Sequence, residues 1–166
     1  LPDESQSDVT VANGMVFVGS DSVMGETGGD GQLYALDATT GAKIWSYTLP
    51  GDVDAGAVYA DGAVYAGSRG GELVAVGATT GAELWNYTGQ DFYGAPVVAG
   101  DVLYISDWGN GSVHAFERDG RVEVFTQDFY RLLRPRQVRR QNTVDIVSLC
   151  EYCAELADLL STEVGE

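Results

Sequence analysis

Short apolar runs separated by small polar turns fill residues 9–125 of the chain. Three stretches share one layout: VTVANGMVFVGS at 9–20, AVYADGAVYAGS at 57–68 and PVVAGDVLYISD at 96–107. In each, a two-residue turn candidate (Asn13-Gly14, Asp61-Gly62, Gly100-Asp101) separates the apolar runs. These residue types tolerate the positive φ that a tight hairpin demands, so each stretch predicts a pair of antiparallel strands. Phe17, Tyr65 and Tyr104 fall in the same slot of the second strand. A second pair follows, QLYALD with KIWSYT and then ELVAVG with ELWNYT, joined by Ala-Thr-Thr-Gly-Ala turns. Gly41 and Gly81 are free to take a left-handed conformation there. In the third unit, SVHAFERDGRVEVF at 112–125, the turn is one residue shorter and the tryptophan is missing.

The units are copies of one another. Residues 34–47 (YALDATTGAKIWSY) and 74–87 (VAVGATTGAELWNY) agree at eight of fourteen positions, forty residues apart. A period near forty residues filled with short strands is the mark of a radial β-repeat. The expected fold class is therefore all-β, a partial β-propeller of about three four-stranded blades over 9–125. An acidic segment, 1–8, precedes it and a non-repeat tail, 126–166, follows. Five arginines (Arg131, Arg134, Arg136, Arg139, Arg140) open that tail. After Asn142, a candidate helix cap, Ile146, Leu149, Cys150, Cys153, Leu156, Ala157 and Leu160 follow helical spacing, predicting a helix from about 143.

Charge narrows the partners. The 166 residues hold 25 acidic and 9 basic side chains, a net charge of −16, and Lys43 is the single lysine. Polyanion binding needs a basic field, so nucleic acid is excluded as a partner. An acidic, lysine-poor surface suits a protein kept soluble in concentrated salt, and predicts a halophilic source; an ordinary acidic protein is the alternative. Residues 1–120 carry 17 acidic and 3 basic groups, the remainder 8 and 6, so the bias fades where the repeat ends. That change also fits a tail acquired by fusion or a shifted reading frame. The repeats contain no cysteine, and no apolar run is long enough to be a transmembrane segment. Starting at Leu1 without methionine, the chain reads as a mature or excised piece. An extracellular or cell-surface place is expected, with the cytoplasm left open.

The repeated stretch resembles a known family. Ala35, Asp37, Thr40, Gly41 and Trp45 fit the Ala-x-Asp-x-x-Thr-Gly-x-x-x-Trp pattern of the PQQ-like (pyrroloquinoline-quinone-type) β-propeller repeats. Ala75, Thr80, Gly81 and Trp85 fit it again, with Gly77 in place of the aspartate. The resemblance, over residues 8–120, implies that this is a tryptophan-docking motif with a structural role. Trp45 and Trp85 would lie between blades on a neighbour's Ala and Thr-Gly backbone. Asp37 would tie its own turn, and the turn at Gly77 would be looser. Family propellers close with six to eight blades, so three imply a protein partner, further blades, or a homo-oligomer that completes the ring. The enzyme branch of the family uses PQQ, calcium, a catalytic aspartate and an adjacent cysteine pair. This chain has no adjacent cysteines, and its repeats map no residue onto those roles. The leading expectation is a non-catalytic scaffold or interaction module without a cofactor. The alternatives are a fragment of a PQQ- and calcium-dependent dehydrogenase, and a truncated gene remnant.

Other candidates each have a plainer reading. The insertion at 21–31 could gather a cation on Asp21, Glu26 and Asp30, but its spacing fits no defined loop, and a solvated hairpin or a projecting binding loop is the alternative. Cys150 and Cys153 share a helical face without the further ligands zinc needs, and His114 occupies a strand slot held by Tyr34 and Val74 in the other repeats. Trp108, in a Gly-rich turn outside the repeated tryptophan slot, is the best single candidate for ligand contact, against packing on a neighbouring blade. Asn86-Tyr-Thr88 and Asn110-Gly-Ser112 are glycosylation acceptor patterns that favour export.

Overall fold

Each of the three repeats closes into a four-stranded antiparallel sheet in simple sequence order. The computed structural model describes residues 5–21, 29–120 and 122–123, all within the unit Leu1–Leu132. The first blade comprises β1 (Thr10–Ala12), β2 (Met15–Ser20), β3 (Asp30–Asp37) and β4 (Lys43–Pro50). The second comprises β5 (Val58–Ala60), β6 (Ala63–Gly67), β7 (Glu72–Gly77) and β8 (Glu83–Thr88). The third comprises β9 (Val97–Ala99), β10 (Val102–Asp107), β11 (Ser112–Glu117) and β12 (Val122–Glu123). No helix occurs among the described residues. The tail helix expected from about 143, the arginine cluster, Cys150, Cys153 and Glu26 lie outside them.

The hairpins follow from their turn chemistry. Asn13 and Gly14 sit at φ +50° and +73°, and Asp61 and Gly62 at +46° and +87°, the doubly left-handed turn whose twist matches paired strands. The third and fourth strands of the first two blades are joined by a wider turn, with a register shift after Ala35 and after Ala75.

The core lies between sheets rather than inside any one of them. Strand residues alternate faces, and the middle blade uses both. Val64, Ala66, Val74 and Val76 pack toward the first blade, with Phe17, Leu33, Ala35 and Trp45 opposite. Tyr65, Leu73 and Ala75 pack toward the third, with Leu103, Ile105 and Phe116 opposite. The first strands of successive blades approach one another, β1 to β5 and β5 to β9. Side chains also cross the gaps: Thr10 Oγ1 donates to Ala57 O at 2.6 Å, and Tyr47 OH donates to Glu83 Oε2 at 2.6 Å. Asn13 Nδ2 donates to Tyr59 OH, and Arg118 of the third blade pairs with Asp61 of the second. Three sheets stacked face to face in this way are a partial β-propeller.

Candidate functional site

The repeated tryptophans join consecutive blades. Trp45 is 8% exposed, and its Nε1–H donates to Ala78 O of the next blade at 2.8 Å. A Cβ on Gly81 would stand 2.7 Å from the Trp45 ring, so only glycine lets the indole lie this close to the backbone. Trp85 repeats the contact one blade on, donating to Arg118 O at 2.9 Å and lying against Gly120. Ala35 and Ala75 are fully buried under these rings, directly across the sheet from Trp45 and Trp85. Asp37 Oδ1 accepts from Thr39 N at 3.1 Å, Thr40 N at 2.7 Å and Thr40 Oγ1 at 2.8 Å. The Thr40 hydroxyl, then the two backbone N–H groups, hold its carboxyl below the usual value. The turn at Gly77 lacks that carboxylate yet keeps the same frame. Gly77 N reaches Ala82 O at 2.8 Å and Gly81 N reaches Gly77 O at 2.8 Å, the lengths of the equivalent bonds at Asp37.

The opposite end of the sheets gathers the exposed chemistry. There the end of β2, at Ser20, and the β6–β7 and β10–β11 turns meet the connections that lead from one blade to the next. Trp108 is 72% exposed, and its ring lies 6.4 Å from that of Tyr93, itself 52% exposed. The Arg69 guanidinium stands 5.2 Å over Tyr93, a cation–π contact, while Arg69 Nη1 is 3.6 Å from Asp54 Oδ2. Burial, reinforced by the neighbouring Asp21 carboxyl and Asp52, pushes the Asp54 carboxyl up to about 6, against the pull of Arg69. Asp21, Asp54, Arg69, Tyr93 and Trp108 thus form a continuous row crossing all three blades.

Asp107 fixes the aromatic end of this row. It is 1% exposed and accepts four hydrogen bonds of 3.0–3.1 Å, from Gln90 N, Asp91 N, Gly109 N and Asn110 Nδ2. Trp108 N adds a 2.7 Å bond to Asp91 O. The connection carrying Tyr93 and the turn carrying Trp108 are thereby tied together. At the other end, Arg69 N donates to Asp52 O at 2.9 Å and Val53 N to Ser20 O at 3.1 Å.

Asp107, Ser112 and His114 have the composition of a hydrolytic triad but not its wiring. Asn110 Nδ2 donates to Asp107, which turns the Asn110 Oδ1 toward Ser112 N and the Ser112 hydroxyl. The Ser112 hydroxyl thus faces Asn110 Oδ1 and lies 2.8 Å from His114 Nε2. Asp107 lies 3.6 Å from the same ring nitrogen that faces the serine, whereas in a triad the carboxylate holds the other one, and His114 Nδ1 is buried without a partner among the described residues. The ring packs among Tyr87, Phe92 and Phe116 as a core residue.

The remaining candidates separate. Asp30 opens β3 opposite Pro50, whereas Asp21 faces Asp54 and accepts from Gln6 Nε2 at 3.0 Å. Among the described residues no three of His, Cys, Asp or Glu are grouped to hold a metal ion. Asn86 is exposed, with its amide on Glu83 Oε1 at 2.8 Å. The Asn110 amide is engaged at both ends within its turn. The sequence pointed to Trp108 but missed Tyr93, Arg69 and Asp54, which lie outside the repeated motif; the Tyr93 connection, flanked by Gly89 and Gly94, was the available signal.

A family model described as outer membrane protein assembly factor BamB matches residues 1–51 and 29–128. The chain belongs to this family. Solved structures share the fold of the BamB-type chain. BamB from Moraxella catarrhalis is 23% identical with a TM-score of 0.60, the match covering 72% of this chain and 36% of that one. Quinohemoprotein alcohol dehydrogenase from Comamonas testosteroni is 24% identical with a TM-score of 0.61, covering 72% and 20%. The computationally designed protein Ika4 is 15% identical with a TM-score of 0.61, covering 74% and 72%. The chain thus spans about a third of the BamB structure and a fifth of the dehydrogenase. No curated protein matches it.

Proposed function

We propose that the chain is a non-catalytic propeller segment serving as scaffold and protein-interaction module, with the row from Asp21 to Trp108 as its contact surface. The observation that carries this reading is the exposed Tyr93–Trp108 pair braced by Arg69. Aromatic and arginine side chains dominate binding energy at protein interfaces, and a row on a rigid scaffold costs little ordering on contact. The description of BamB as an assembly factor supports a protein partner. So does the acidic excess of the repeats, which suits a partner bearing cationic groups.

A photo-crosslinking residue at position 93, in cells of the source organism, tests this. The expected result is one protein adduct that disappears in Trp108→Ala and is absent when the crosslinker sits at position 39, on the far end. Equal labelling from both positions would refute the row.

The likeness to a quinohemoprotein dehydrogenase sustains a second reading, a dehydrogenase fragment using PQQ and calcium. Titration with both in concentrated salt, following dye reduction with alcohols, decides it: quinone-dependent turnover would replace the interaction reading. We further infer an exported protein of salt-rich surroundings, the salt supported by the charge composition and the export by the acceptor patterns at Asn86 and Asn110. Its unfolding midpoint should rise steeply with KCl.

A further inference from the structure

The chain holds two Asn-x-Ser/Thr acceptor patterns, and the fold treats them in opposite ways. Asn86 and Thr88 alternate with Tyr87 on β8, the outermost strand of the second blade, so their side chains share one face of it. Both are exposed. Asn86 stands opposite Val74, which packs toward the first blade, so the amide lies at the outer mouth of the seam between those two blades. Glu83 holds it there. Its Oε1 accepts from Asn86 Nδ2 at 2.8 Å, while its Oε2 accepts from Tyr47 OH of the first blade at 2.6 Å.

The second pattern is exposed at Asn110, but its amide and its hydroxyl are turned inward. Asn110 Nδ2 donates at 3.1 Å to Asp107 Oδ2, on a carboxylate that is itself buried. Asn110 Oδ1 accepts from Ser112 N at 3.0 Å and from the Ser112 hydroxyl. Ser112 is 8% exposed, and its Oγ lies 2.8 Å from Nε2 of the buried His114 ring. An enzyme reaching both groups would have to dismantle the turn at Asp107, together with the hydrogen bonds that residue accepts from Gln90 N, Asp91 N and Gly109 N.

We infer that Asn86 is an N-glycosylation site, and that Asn110 of the folded chain is not. The inference rests on the export proposed above, which brings the chain to a transferase, and not on the Tyr93–Trp108 row. In the transfer, the Asn86 amide nitrogen attacks the anomeric carbon of an oligosaccharide carried on a lipid phosphate. The carbon–nitrogen bond forms, the carbon–oxygen bond to phosphate breaks, and the phosphate leaves with that electron pair. The amide gives up one proton to a base of the transferase. The nitrogen keeps its second hydrogen, so the contact to Glu83, and through it the bridge from Tyr47, can persist. Among the described residues β8 pairs with β7 alone, and Leu84 on it is 59% exposed, so a hydrated sugar there also covers a bare sheet edge.

The test uses the whole chain, secreted behind an appended export leader from cells that attach oligosaccharides to asparagine, and checked for native β structure by circular dichroism. Cleavage before aspartates releases 61–90, which holds Asn86, apart from 107–118, which holds Asn110. Mass spectrometry should find the sugar on 61–90 and none on 107–118. Thr88→Ala should lose the sugar entirely although Asn86 and Glu83 are both still present, Thr88→Ser should keep it, and Ser112→Ala should leave the pattern unchanged. A bare 61–90 segment in the folded, secreted chain would overturn the proposal. So would sugar on 107–118 of that material, or sugar on 61–90 that persists in Thr88→Ala. The export reading fails separately: fractionation of the source organism that finds the chain only in the cytoplasm would refute export, while the secreted form still decides the acceptor site.

Discussion

Replacing Gly81 and, separately, Gly41 by alanine measures what an indole contributes to an occupied turn. The two glycines sit at φ +68° and +71°, so both substitutions carry the same left-handed penalty, about 1–2 kcal/mol. The surroundings differ. A Cβ on Gly81 would lie 2.7 Å from Cδ2 and 2.8 Å from Cγ of Trp45, while Gly41 has nothing within 4 Å among the described residues. Relieving that overlap requires the indole to move, at about 1–3 kcal/mol by the cost of overpacking a core. The movement also strains the 2.8 Å bond from Trp45 Nε1 to Ala78 O, worth about 1 kcal/mol. Gly81→Ala should therefore destabilise the chain by about 2–4 kcal/mol more than Gly41→Ala. Equilibrium urea unfolding followed by tryptophan fluorescence reads the difference, and the native emission of Gly81→Ala should shift to the red as Trp45 meets water. Equal losses for the two variants would refute the claim that the ring bears on Gly81.

Three further outcomes are expected. Trp45→Phe keeps an aromatic ring but strands the buried Ala78 carbonyl, and should cost about 1–3 kcal/mol in a urea titration, with no rescue by Trp45→Tyr. Asp54 binds its proton more tightly in the folded state than at the ordinary value of 3.8, so its stabilising contribution is full below about pH 4 and is lost as pH rises through about 6. Asp54→Asn should remove that slope from the urea midpoint and gain about 1 kcal/mol at pH 8, after allowance for solvent screening. Trp108→Ala, at an exposed position, should shift stability by less than about 0.5 kcal/mol in the same titration while abolishing the partner adduct.

The fold was legible in the sequence because the repeats encode it locally. Asn13-Gly14 and Asp61-Gly62 specify their turns through residues that accept positive φ, and the alternation along β6 and β7 assigns each side chain to one of two interfaces. The surface row was only partly legible. Trp108 stands out because it breaks the repeat, but Tyr93 and Arg69 meet only through tertiary contact, one in a connection and one in a turn. Nothing in the spacing of Asp21 and Asp54 announces that their carboxyls share one environment, since a connection returning from β4 brings them together. His114 shows the converse limit: a lone histidine reads as possible chemistry until Tyr87, Phe92 and Phe116 are found packed around its ring.

Each of the two repeated tryptophans finds its carbonyl 33 residues further along the chain, Trp45 at Ala78 and Trp85 at Arg118. On a ribosome, a blade therefore leaves the exit tunnel with its largest apolar ring still bare. It waits about 2–7 s, at about 5–20 residues per second, for the receiving turn to be made. Assembly is then a relay in which every newly emerged turn locks the sheet before it, and the exposed ring is the group a nascent-chain chaperone would meet.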